Sequence, residues 1–266
     1  DWIPLYMTGQ VSPFYLKGVQ NNVFLHFLMV SGSAALSGEA ISGYQNEGMC
    51  RLVRSRDEIA YYQERAQELL HNAHPFMDIY QKDNADTLQA FLLADLKTPG
   101  RRRNILSVPP LYTMDEADLR RFLKRRSLSI QEQRKILTFA AAKRKNVERI
   151  LHSRKIKDEL SVLTREEFMR APVSLSLADL FYKTDVPYTW EEYLGHLKQT
   201  RQYAAKFSNY TLEETSSYTF RDLQIHIHEG RWVILSKNKA PAIHFRIHHP
   251  LLLEALENFS QPVVRS

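Results

Sequence analysis

The sequence predicts a mixed α+β fold. A first β-hairpin–helix unit over residues 1–82 and a second over 211–266 flank a largely helical middle over 83–210, all within one region spanning 1–266. Three observations lead there. Near the C-terminus, Ile225 and Ile227 alternate with His226 and His228, and Ile243, Phe245 and Ile247 alternate with His244, Arg246 and His248. That is the period-two pattern of half-buried strands. Five Ser/Thr-x-x-Glu capping boxes, starting at Ser55, Thr113, Ser129, Thr164 and Thr189, mark helix starts, because hydroxyl and carboxylate satisfy otherwise unpaired helix amides. Finally, a hairpin and strand running into a helix occurs twice, once through Cys50–Asp57 and once through Ile243–Pro250.

In chain order, residues 2–18 are turn-rich, punctuated by Pro4, Gly9, Pro13 and Gly18. Residues 23–30 read as a buried strand, 34–43 as a small-residue segment and 49–53 as a second strand. A helix follows over 57–73, with Ile59, Tyr62, Ala66, Leu69 and Leu70 on one face. A second amphipathic helix spans 84–96, with Leu88, Phe91, Leu92 and Leu96 inward. Residues 98–104 read as a loop and 105–112 as extended chain. Helices are predicted over 114–126 and 130–153, with a short one after Thr164 that Pro172 stops. Residues 173–181 fit a strand or a loosely wound loop, and a last long helix runs to about 207. Glu229-Gly230 joins two strands of the final unit, residues 238–241 supply the next turn, and Pro250 opens a helix over 251–259.

Composition narrows the function. No apolar run is long enough to span a bilayer. The single Cys50 has no internal partner, which points to a reducing cytoplasm. The net charge is +6, concentrated over residues 115–157, where 14 Lys or Arg face 5 Asp or Glu. Such a run is either a solvated pair of helices or a surface for an anionic partner.

Catalytic signatures are absent: there is no phosphate-binding glycine loop, no GxSxG elbow and no HExxH. No catalytic residue, metal ligand or cofactor is assigned, and the chain is read as a non-enzyme. The candidate binding residues are those of the polar strand face and its basic turn. They are His226, His228, His244 and Arg246, with Lys237 and Lys239 beside them and Trp232 as an apolar wall. Histidine and arginine donors beside lysines suit a small polar or anionic ligand. Two rival readings remain. One is a nucleic-acid module built on the basic helices of residues 114–157. The other is a metal-dependent hydrolase using the histidines of residues 226–249, since histidine pairs on neighbouring strands can hold zinc.

The stretch Phe220–His228 with Trp232–Phe245, together with Leu163–Phe168 and Val186–Leu194, resembles the C-terminal region of bacterial helix-turn-helix (XRE-like) transcriptional regulators. The resemblance covers most of the chain. It implies an effector-sensing or dimerising region of a transcription factor, a homodimer, whose DNA contact is made by a helical N-terminal domain. That domain is not in this sequence, which starts at Asp1, and is expected ahead of it. The resemblance brings no binding residues with it.

Overall fold

A computed structural model describes residues 5–6, 10–18, 23–216 and 222–260. The fold is mixed α+β and divides into two compact units, Thr8–Phe76 and one formed chiefly by Met77–Ser266. Pro4 and Gly9 of the turn-rich start, and residues 217–221 before the second hairpin, lie outside the described residues.

In the smaller unit, β1 (Phe14–Tyr15) is followed by an antiparallel meander of β2 (Phe24–Val30), β3 (Ala35–Ile41) and β4 (Met49–Val53). Helix α1 (Arg56–Asn72) follows, and β5 (His74–Pro75) pairs back with β1. The segment expected only to be rich in small residues is thus strand β3. One sheet face meets α1: Ala35, Val53 and Ile59 are buried, and the Ser37 and Tyr62 hydroxyls lie 3.4 Å apart. The other face carries Leu25, Phe27, Met29 and Leu52, all exposed. Gly38 lets the Phe27 ring lie flat across the sheet, because a Cβ there would fall 1.9 Å from a ring carbon. Leu69 and Leu70, expected inward, are exposed.

The larger unit is built on seven strands in the order β6-β12-β11-β10-β7-β8-β9. In chain order these are β6 (Met77–Tyr80), helix α2 (Ala85–Asp95), β7 (Arg102–Leu106), helices α3 (Glu116–Lys124) and α4 (Ile130–Leu151), and β8 (Ile156–Ser161). Helices α5 (Arg165–Arg170) and α6 (Trp190–Lys206), β9 (Tyr210–Thr215), β10 (Leu223–His228), β11 (Trp232–Lys237), β12 (Ile243–Ile247) and α7 (Pro250–Glu257) complete it. Strands β7, β8 and β9 are parallel, so helical crossovers must join them; α3–α4 and α5–α6 do so. The remaining pairings are antiparallel. The middle is therefore not only helical, since it supplies three strands to the sheet that also contains the final hairpins.

Ile225, Ile227 and Val233 are buried with Ile105, and Leu253, Leu256 and Phe259 of the α7 region pack on them. Ile243 and Ile247 are buried as well. Three capping boxes form with both of their hydrogen bonds, at Ser129, Thr164 and Thr189. Two do not. At Ser55, Glu58 is drawn instead to Arg51. At Thr113 the hydroxyl is buried, donating to Pro110 O at 2.8 Å beside Thr200 and His196, and α3 starts later with Asp115 at its cap. No helix among the described residues is long and apolar enough to cross a membrane.

Candidate functional site

Alternation dictates what the covered face of the large sheet carries. With the isoleucines of β10 turned one way, Gln224, His226 and His228 turn the other. Register then sets Asn104 opposite His226, Asp158 beside Asn104, and Ser236 opposite His244. Above this polar floor, α2 and α4 leave a cavity of about 340 Å³. Its walls are apolar, including Leu88, Leu92, Phe139 and Val147, and Trp232 and Ile234 extend them onto the sheet. An apolar chamber with a few fixed polar groups is the common form of a small-molecule site.

The polar groups form two sets. In the first, Asp158 is fully buried and accepts from three donors: Tyr210 Oη at 2.6 Å, Asn104 Nδ2 at 2.7 Å and the Tyr112 hydroxyl. Burial pushes its carboxyl up, against the pull of those donors. Burial also pushes both phenols up, so they stay protonated. With the Asn104 amide nitrogen turned to Asp158, its Oδ1 faces His226 Nδ1 at 2.9 Å. An oxygen there accepts only, so Nδ1 carries the proton and Nε2 is left as a bare acceptor. Nε2 has no hydrogen-bond partner among the described residues. Burial, with Lys143 and His244 adding to it and Asp179 opposing, lowers the His226 pKa to about 4, so the ring is neutral near pH 7.

The second set is paired charge. Lys143 of α4 bonds Asp179, and although burial raises that carboxyl, Lys143 and the nearby histidines hold it well below the ordinary range. His244 bonds Ser236 Oγ at 2.7 Å and lies 3.2 Å from Ala178 O, and burial lowers its pKa. Arg102, 8% exposed, bonds Asp95 at 2.8 Å, while its Nη1 has no partner among the described residues. Burial raises Asp95, but hydrogen bonds from Trp232 and Arg102 and the nearby His228 more than offset this.

Of the residues singled out from sequence, His226, His244 and Trp232 line the cavity. The other four do not. His228 is fully buried beside it, bonded to Asp95 at 2.9 Å and Pro99 O at 3.0 Å. Arg246 pairs with Asp78 and stacks on Phe91, 4.3 Å from the ring centre, toward the sheet edge. Lys237 falls on the opposite face of β11 from Ser236, because neighbours along a strand point to opposite sides, and Lys239 is exposed in the following turn. The expected basic cluster is thus dispersed. Residues outside that candidate set take its place: Asn104, Asp179 and Arg102, with Lys143 of the basic run, and Asp158 held behind Asn104.

The rival readings find little support in the geometry. In the basic run, Arg120 pairs with Glu116, Arg121 with Asp118 and Arg126 with Glu192. Arg144 donates to the Tyr112 and Met114 carbonyls, each at 2.8 Å, and Lys143 lines the cavity. Among the described residues no three His, Cys, Asp or Glu side chains converge as a metal site would require. No protein family, curated protein or solved structure matches this chain.

Proposed function

We propose that this chain is the effector-sensing region of a cytoplasmic bacterial transcriptional regulator. Its role is to bind a small molecule in the α2–α4 cavity, not to catalyse. In this reading it acts as a homodimer, and a helix-turn-helix domain supplies DNA contact, as the resemblance implies. The observation that carries the binding role is the cavity itself: about 340 Å³, apolar above and polar below, and among its lining residues two buried polar atoms, His226 Nε2 and Arg102 Nη1, lack partners among the described residues. Native structures rarely leave such atoms unsatisfied without a reason, and a ligand is one.

The basic helices favour this reading over a nucleic-acid module, because Arg126, Lys143 and Arg144 of the basic run are held by partners in the body of the protein. Thermal-shift measurement of the parent chain and of Ala142→Trp tests it. Ala142 lines the cavity yet is exposed, so the indole fills space without opening the core. Uncharged amides and alcohols of medium chain length raise the melting temperature of the parent and leave that of the filled variant unmoved. Equal shifts in both would place binding elsewhere, and no shift in the parent would remove the binding role.

A further inference from the structure

We infer that the cavity selects an uncharged, mainly apolar molecule that donates a hydrogen bond to His226 Nε2 and accepts one from Arg102 Nη1, as a primary or secondary amide does. This deepens the proposed binding role and rests on it.

The ionised groups lining the chamber occur as opposed pairs, Lys143 with Asp179 and Arg102 with Asp95. The lining thus holds no surplus charge to meet an ion, and an anion or cation entering it would lose its water without compensation. The anionic ligand that the sequence pattern suggests is disfavoured for this reason, since the lysines and the arginine that motivated it lie elsewhere.

The chain Asp158–Asn104–His226 is anchored at its far end by Asp158 Oδ1, which accepts from Asn104 Nδ2. Each link then has one sense: Asn104 Nδ2 donates to Asp158 Oδ1, and His226 Nδ1 donates to Asn104 Oδ1. His226 therefore offers an acceptor, and a ligand must bring an N–H or O–H. Arg102 has donors only, so its Nη1, unpartnered among the described residues, calls for a ligand oxygen or nitrogen. Register places the two at diagonal positions on neighbouring strands, with His226 opposite Asn104 and Arg102 two residues along β7. Diagonal neighbours on one face lie about 7–8 Å apart at Cα, within reach of one functional group held between long side chains. The apolar body of the ligand would lie against Leu92, Phe139 and Val147.

Isothermal titration of the full chain with four compounds of matched length tests this: octanamide, methyl octanoate, octanoate and octylamine. Octanamide binds about tenfold or more tightly over each of the others, because a site built around a hydrogen bond rejects an analogue that cannot make it. In His226→Phe, which keeps a flat ring but removes the acceptor, the preference for amide over ester disappears while ester affinity holds. In His226→Gln, whose side-chain oxygen restores an acceptor, part of the preference returns. Octanoate binding as tightly as the amide, or an amide preference that survives His226→Phe, would overturn the inference while leaving the binding role intact. Failure of all four on the parent would count against the binding role as well. The parent series decides the question even if a variant does not fold.

Discussion

At the scale of single residues, the buried histidines make stability depend on pH. His196 is buried between Thr113 Oγ1 at 3.1 Å and Tyr188 Oη at 2.8 Å, and burial lowers its pKa to about 3. His226 behaves alike, at about 4. In the unfolded chain a histidine titrates near 6.5. Below that pH the unfolded chain binds protons that the folded chain refuses, so stability is full above about 6.5 and falls as pH drops toward the folded values. Urea unfolding at pH 7.5 and 4.5 should show a loss of about 2–3 kcal/mol per histidine. An unchanged midpoint would mean that these rings are solvated. Gly100 offers a second test. Its φ is +144°, and a Cβ there would stand 2.2 Å from His228 Nε2. Gly100→Ala should cost about 2 kcal/mol or more, because strained backbone and a displaced buried ring add. A wild-type melting temperature in this variant would contradict that packing.

At the scale of elements, capping separates helix starts that look alike in sequence. Ser129→Ala, Thr164→Ala and Thr189→Ala should each cost about 1 kcal/mol. Ser55→Ala should fall within about 0.5 kcal/mol, because that side chain makes no cap bond. A set of denaturation curves in which all four losses are equal would refute the distinction. Strand legibility followed the same logic of local against distant partners. Strands β10 and β12 were readable because one face is isoleucine and the other polar. Strand β8 was not: in Ile156–Ser161, Lys157 and Glu159 pair on one face, with Glu159 buried, and Asp158 on the other is buried against tyrosines distant in sequence. Composition cannot tell a buried aspartate with three donors from a solvated one. Strand β7 begins inside a run of three arginines, Arg101–Arg103, whose partners Asp95 and Glu159 lie elsewhere in the chain. The cavity was therefore half legible: His226, His244 and Trp232 came from alternation, while Asn104 reaches it through the pairing of β10 with the sequence-distant β7, and Lys143 through the crossover helix α4.

At the scale of the whole molecule, the proposed homodimer has a surface suited to it. The open face of the β2–β4 sheet carries Leu25, Phe27, Met29 and Leu52, with Met29 64% and Leu52 57% exposed. Exposed apolar patches of this kind mark interaction sites, and an uncharged face is compatible with a second copy of itself. Met29→Glu with Leu52→Glu should convert a dimer into a monomer by light scattering without unfolding the chain, since both side chains already stand in water. An unchanged mass would assign any dimer contact to another face. The central claim, that a neutral acceptor waits in a ligand chamber, is tested most directly by side-chain nitrogen NMR of His226 during titration with octanamide. The spectra should show a proton on Nδ1, a bare Nε2 between pH 5.5 and 8, about the range in which the ring should stay neutral, and an Nε2 resonance that moves as the amide binds. A proton on Nε2 in the free chain, or an Nε2 signal indifferent to the amide, would contradict it.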